Sequence, residues 1–178
     1  MGKRSNFKRS KGDFYVTPES AVLPLLPHLE YGSMFLEPCA GDGALVRSLE
    51  KHGMSCLAAH DIDPKADFID KRDALHPVGP YTDNSADYYI TNPPWTRALM
   101  HPLIESLSKI KPTWLLFDAD WKHTIQAGPY LAYCHKVVSV GRVSWMGNGV
   151  SGKDNAAWYL FDRTSEIPAY PAFIGRAA

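Results

Sequence analysis

The stretch FLEPCAGDGALV, residues 35–46, changes character twice in a short span. Phe35 and Leu36 open it as an apolar strand opens. Gly41 and Gly43 break it. Leu45, Val46 and Leu49 then recur at helical spacing as far as Gly53, where a helix would stop. Strand, glycine turn and helix in that order make the first half of a βαβ unit. Glycines at such a turn let a ligand come close to the backbone. Which ligand is restricted by what else the turn carries. A dinucleotide fingerprint needs a third glycine, and Ala44-Leu45-Val46 stand in its place. Glu37 and Asp42 would repel a pyrophosphate and suit a ligand with a cation and hydroxyl groups.

The alternation continues on both sides of this turn. AVLPLLPHL (21–29) reads as a short helix interrupted by Pro24 and Pro27. SCLAAHDID (55–63), ADYYITN (86–92) and TWLLFDAD (113–120) read as strands. RALMHPLIESLSKI (97–110) reads as a helix that tolerates Pro102 only near its first turns, and YLAYCH (130–135) as a further helix. HKVVSVGRVSW (135–145) and AAWYLFDR (156–163) are two strands joined by a glycine-rich loop. Strands alternating with helices predict an α/β, Rossmann-like fold: a mostly parallel sheet with helices on both faces and an antiparallel C-terminal edge strand.

An open sheet of this kind binds its ligand outside the carboxyl ends of its parallel strands. The unusual residue clusters fall at those ends. Asp61 lies 18 residues beyond Gly43 and is placed to accept hydrogen bonds from ribose hydroxyls. Asp73 follows the strand-like DFID (67–70) and, with Asp70 as its competitor, is the candidate acceptor for an adenine amine. YYITNPPW (88–95) ends a strand abruptly, because two prolines cannot donate to a sheet ladder. FDADWKH (117–123) brings Asp120 and Trp121 to the same rim as candidates for shaping a substrate pocket. The loop 144–158 carries three glycines and Lys153, which reads as a mobile, phosphate-friendly lid.

The totals narrow the class. With 178 residues, 45% hydrophobic and 21% charged, the chain is a single globular domain over 13–178. No apolar run approaches the roughly 18 residues of a membrane span, so no membrane partner is expected. The opening MGKRSNFKRSKG lacks the apolar core of a signal peptide. Cys39, Cys56 and Cys134 are odd in number and lack CxxC spacing. That pattern predicts neither a disulfide framework nor a metal site, and a reducing compartment. Net charge is zero, yet Lys3, Arg4, Lys8, Arg9 and Lys11 put +5 into the first eleven residues, leaving −5 for the rest. Residues 1–12 thus read as a flexible basic arm suited to tracking phosphates, and the acidic body disfavours strong non-specific duplex binding.

FLEPCAGDGAL, DIDP and NPPW in that order resemble the class I S-adenosylmethionine-dependent methyltransferases. More narrowly they resemble the amino-methyltransferases, phage-type DNA adenine-N6 enzymes in particular. DFYVTPESAV (13–22) is similar to the Tyr-Thr-Pro segment by which such enzymes close over the cofactor, and the resemblance spans roughly residues 13–162. It implies S-adenosylmethionine as cofactor, with Tyr15, Thr17 and Pro18 lining its site. Glu37, Pro38, Cys39, Gly41 and Gly43 would cradle it, Asp61 would hold the ribose, and Ile62 would pack on the adenine. Asp73 would meet the adenine amine, and Asn92 would touch the reacting end. Two departures stand out. Asp61 occupies a position more often held by the longer Glu, and no stretch is long enough for a separate target-recognition domain.

The resemblance makes Asn92, Pro93, Pro94 and Trp95 the catalytic group. An aromatic amine is a poor nucleophile because its lone pair is delocalised into the ring. Two acceptors aimed at its protons, the Asn92 side-chain carbonyl and the Pro93 backbone carbonyl, favour a tetrahedral nitrogen. The prolines stiffen the turn, so both acceptors are preorganised. Trp95 offers a face for a flipped base, worth on the order of 1–3 kcal/mol. The expected activity is methylation of adenine N6 in DNA with relaxed or short recognition, in the cytoplasm of a bacterial or phage-infected cell. An RNA amino-methyltransferase and a catalytically silent nucleic-acid-binding subunit are the alternatives.

Overall fold

The computed structural model describes residues 15–76, 85–145, 152, 154–167 and 169–176. The basic arm 1–12, Lys153 and most of the 144–158 loop tip lie outside the described residues. Among the described residues eight strands form one sheet: β1 (Met34–Glu37), β2 (Ser55–Asp61), β3 (Asp70–Lys71), β4 (Tyr88–Thr91), β5 (Thr113–Asp118), β6 (Cys134–Arg142), β7 (Asn155–Phe161) and β8 (Ala172–Ile174). Their spatial order is β3-β2-β1-β4-β5-β7-β6-β8. Every pairing is parallel except the two made by β7, so β7 alone runs against the others. The sheet is therefore Rossmann-like and mostly parallel. The reversed strand comes from the C-terminal pair but is inserted between β5 and β6, and the short β8 pairs outside them.

Helices cover both faces. On one side α1 (Glu19–Val22) and α2 (Ala44–Lys51) bury Ala21, Val22, Leu45 and Leu49 against Phe35, Ile90, Trp114 and Trp158. On the other side α3 (Arg97–Ser108) buries Met100, Leu103, Ile104 and Leu107 against Leu36, Tyr89, Leu115 and Phe117. Phe35 and Leu36 thus point to opposite faces, as do Tyr89 and Ile90, which is the period-two alternation of a sheet buried on both sides. Each fully buried leucine contributes about 2 kcal/mol of apolar transfer. Pro102 sits in the second turn of α3.

Two helix expectations are corrected. The 21–29 segment is a single turn, α1, followed by a 3-10 turn over Leu26–His28. Pro24 has no N–H with which to continue α1, and Pro27 starts the next turn. The segment 130–135 is not a helix throughout: α4 covers Gly128–Leu131, and β6 begins at Cys134. The buried Cys134 pairs with Phe161, and the β-branched run Val137, Val138, Val140 belongs to that strand.

Candidate active site

The chain winds from β1 to β2 and β3 on one side, then crosses to β4 on the other side of β1. The carboxyl ends of the paired strands β1 and β4 are the topological switch point, the place at which such sheets bind ligands. The strand ends surrounding it carry Glu37, Asp61 and Asn92.

The glycine turn is stapled to the end of β2. Ala40 N–H donates to the His60 carbonyl at 2.9 Å, and Gly41 N–H donates to Asp61 Oδ2 at 2.8 Å. Lys65 N–H returns to the Gly41 carbonyl at 2.9 Å. Gly41 and Gly43 have φ of 55° and 78°, the left-handed region that side-chain-bearing residues resist. Gly43 also leaves room for the Phe68 ring, whose Cζ lies 2.2 Å from where a Cβ would stand. Asp61 Oδ1 accepts a further bond from Asp63 N–H at 2.8 Å. The residue read as the ribose acceptor therefore also shapes the turn, and each of its oxygens keeps a second lone pair.

The electrostatics of the turn select for positive charge. Glu37 is 1% exposed, and burial first, then Asp61 and Asp42, push its carboxyl well above the usual range. Its Oε2 is buried without a hydrogen-bond partner among the described residues. An orphaned carboxyl oxygen beside two further acids fits a cationic ligand bearing donors, whose charge would draw Glu37 toward its ionised form, and disfavours a polyphosphate. Burial, reinforced by Asp61 and Glu37, drives the Cys39 thiol upward, so no thiolate nucleophile is available there. Ile62, next to Asp61, is 65% exposed and Phe68 is 54% exposed, giving two apolar side chains at the rim. Asp73 accepts from Leu75 N–H at 2.9 Å and faces His76 Nδ1 at 3.2 Å. The Leu75 bond is the main reason its carboxyl lies below the usual range, and its side chain remains 47% exposed.

Asn92 follows β4 and joins the N-terminal segment to the aromatic rim. Its Nδ2 donates to Thr17 Oγ1 at 3.1 Å, and its Oδ1 accepts from Trp95 Nε1 at 3.2 Å. Trp95 meets Trp145 edge-on, with centroids 5.5 Å apart and planes at 88°. Trp145 in turn lies 6.4 Å from Tyr15. Pro18 caps α1 through its carbonyl, which accepts from Ala21 N–H at 2.9 Å. The Ala21 carbonyl accepts from Trp158 Nε1 at 2.7 Å, tying the segment to the sheet core. Tyr15, Thr17, Asn92, Trp95 and Trp145 therefore form one connected group.

Among the substrate candidates, Asp120 is exposed in the 3-10 turn after β5 (Ala119–His123), with its N–H donating to Asp118 Oδ1 at 2.9 Å. Trp121 is a correction. It is 2% exposed and packed edge-on against Phe117, Tyr159 and Phe161, so it completes the core and offers no free face. Its indole N–H donates to His101 Nε2 at 3.1 Å. Two rim residues escaped the sequence reading. Trp145 stood in a loop read only for its glycines and lysine, and Phe68 stood within DFID without a periodic signal. A tryptophan beside a glycine-rich loop was the available clue for Trp145, whereas Phe68 meets Gly43 only through the fold.

The sequence matches no protein-family model and no curated protein. Solved structures do share the fold. A candidate RNA methyltransferase from Pyrococcus horikoshii aligns with TM-score 0.59 at 16% identity, over 90% of this chain and 92% of that one. The type I restriction-modification methyltransferase subunit from Streptococcus thermophilus aligns with TM-score 0.58 at 11% identity, over 91% of this chain and 47% of that subunit. A dimethyladenosine transferase from Plasmodium falciparum aligns with TM-score 0.52 at 17% identity, over 84% of this chain and 62% of that one. This chain spans about half of the restriction subunit but nearly all of the archaeal protein. Strand order, glycine turn and the switch point at the ends of β1 and β4 together give the chain the fold of the class I S-adenosylmethionine-dependent methyltransferases.

Proposed function

We propose that the protein transfers a methyl group from S-adenosylmethionine to the exocyclic N6 amine of adenine in DNA, with relaxed or short sequence recognition. The observation that carries this reading is the Asn92 carboxamide, held at both ends beside an acid-rich glycine turn at the switch point. The cofactor supplies, when bound, an electrophilic methyl group on a sulfonium. Glu37, the Asp61 carboxylate and the Gly41–Gly43 turn are the groups that would hold its cationic and hydroxyl-bearing parts, with Ile62 and Phe68 against its base. Asp73 retains an exposed carboxylate for the base amine.

The chemistry of the target amine falls to the NPPW turn. Asn92 Oδ1 spends one lone pair on the Trp95 indole and keeps the other for an amine proton. The Pro93 backbone carbonyl is the second acceptor. Neither group needs to act as a strong base, because a methylated aromatic ammonium is acidic and loses its proton to water. Trp95, half-buried and braced by Trp145, is suited to stack on a base turned out of its helix. Single-stranded or distorted DNA should serve as well as duplex, since unstacking then costs least.

RNA is the second reading. It is favoured by the likeness to a candidate RNA methyltransferase of nearly the same extent. Radiolabelled methyl transfer to DNA, RNA and a protein mixture, run in parallel, tests the assignment. Label in DNA alone supports the first reading, label in RNA alone the second, and label in neither overturns both.

A further inference from the structure

We propose that Thr17 is a positioning residue for the transfer step: its hydroxyl pins the Asn92 carboxamide and makes docking of the N-terminal segment a condition for reaction. The inference rests on the proposed function and assigns Thr17 a role apart from lining the cofactor site.

A carboxamide is a two-fold rotor whose oxygen and nitrogen ends are set by their partners. Here the partners leave one choice. The Trp95 indole nitrogen is a donor only, so the Asn92 atom facing it at 3.2 Å is the carbonyl oxygen. The amide nitrogen then faces Thr17 Oγ1 at 3.1 Å, and that hydroxyl must accept. Trp95 decides which end is oxygen, while Thr17 stops the amide plane from turning. Without Thr17 the plane could rotate about its bond to Cβ, and the lone pair reserved for the target amine would sweep away from it. Thr17 is 7% exposed, so water is poorly placed to substitute.

The contact also bridges distant chain segments. Thr17 and Asn92 are separated by 75 residues. Thr17 stands in an irregular stretch just before α1, held by the Ala21–Pro18 bond and by the buried Trp158 indole on the Ala21 carbonyl. Undocking of residues 15–18 would release the carboxamide at the same moment. A nitrogen at the wrong end of the amide would then present donors to an amine that already carries two.

The test combines two readouts on Thr17→Val, which keeps the shape and loses the acceptor. Indole N–H resonances of the five tryptophans are recorded with 15N labelling, and the Trp95 signal is assigned by Trp95→Phe. In Thr17→Val the Trp95 signal should move, and its solvent exchange should quicken about tenfold, the effect of losing roughly one hydrogen bond of protection. At saturating S-adenosylmethionine, where cofactor affinity no longer limits the rate, kcat for DNA should fall about tenfold. Thr17→Ser should restore both. Thr17→Ala takes the place of the valine variant if that variant fails to fold. A weakened cofactor Kd with an unmoved Trp95 signal and unchanged kcat would overturn the inference. Absence of methyl transfer by the unaltered protein would refute the functional reading instead, and the Trp95 resonance would still decide whether Thr17 positions Asn92.

Discussion

Replacing Asp61 by alanine should cost both stability and cofactor affinity, and the structure allows the two costs to be apportioned. The Asp61 carboxylate accepts two backbone bonds, each 2.8 Å long, from Gly41 and Asp63. Gly41 is buried, so its N–H loses a charge-assisted partner that water cannot replace, a cost of about 1.5–3 kcal/mol. Asp63 is exposed, and water compensates it almost fully. Removing Asp61 also relieves its repulsion of Glu37, which offsets part of the loss. The net destabilisation should be about 1–2 kcal/mol, read as a lower urea midpoint with an unchanged slope. Calorimetry with S-adenosylmethionine should show affinity falling at least about tenfold, because the ribose acceptor and the shape of the turn are lost together. Asp61→Asn keeps one acceptor for Gly41 and should lie between. If Asp61→Ala unfolds and binds cofactor like the unaltered protein, the stapled turn is not what holds the site.

Other perturbations follow from the same geometry. Gly43→Ala forces a side chain into φ of 78° and displaces the Phe68 ring, so it should lose about 1–2 kcal/mol of stability in denaturant titration and weaken cofactor binding. His60 is fully buried, and burial, aided by Arg72, lowers its imidazole from 6.5 to about 4. The unfolded chain therefore takes up a proton between those values that the folded chain refuses. Stability should fall as pH drops through that window, by at most about 3 kcal/mol, and His60→Gln should flatten the slope. Removing residues 1–11 deletes five positive charges; DNA binding should weaken, and the steepness of its salt dependence should decrease in filter-binding or anisotropy titrations.

Much of the fold was legible because the decisive signals are local. The glycine turn after Glu37 interrupts one period and begins another, and the prolines after Asn92 end a strand by their chemistry alone. What escaped the reading depends on distant partners. Nothing within AAWYLFDR states that this strand inserts between β5 and β6; the choice is made by its pairing with both. Trp121 resembled a rim residue because it follows a strand end, whereas its burial comes from Tyr159 and Phe161, far along the chain. The bond from Asn92 to Thr17 likewise needs α1 docked on the sheet through Trp158. The short strand β8 carries only three exposed residues, too few for any alternation to register, and the strand-like DFID (67–70) overlaps β3 at Asp70 alone.

In the proposed reaction the Asn92 carboxamide directs a methyl group to an adenine amine. The most direct test of that role is nucleoside mass spectrometry on DNA incubated with S-adenosylmethionine and either the unaltered protein or Asn92→Ala. The unaltered protein should yield N6-methyladenine. Asn92→Ala should yield at least about a hundredfold less, with cofactor affinity within about threefold of the original, since the carboxamide acts in turnover. Undiminished N6-methyladenine from Asn92→Ala, or a methyl group found on a ring carbon instead of an exocyclic amine, would contradict it.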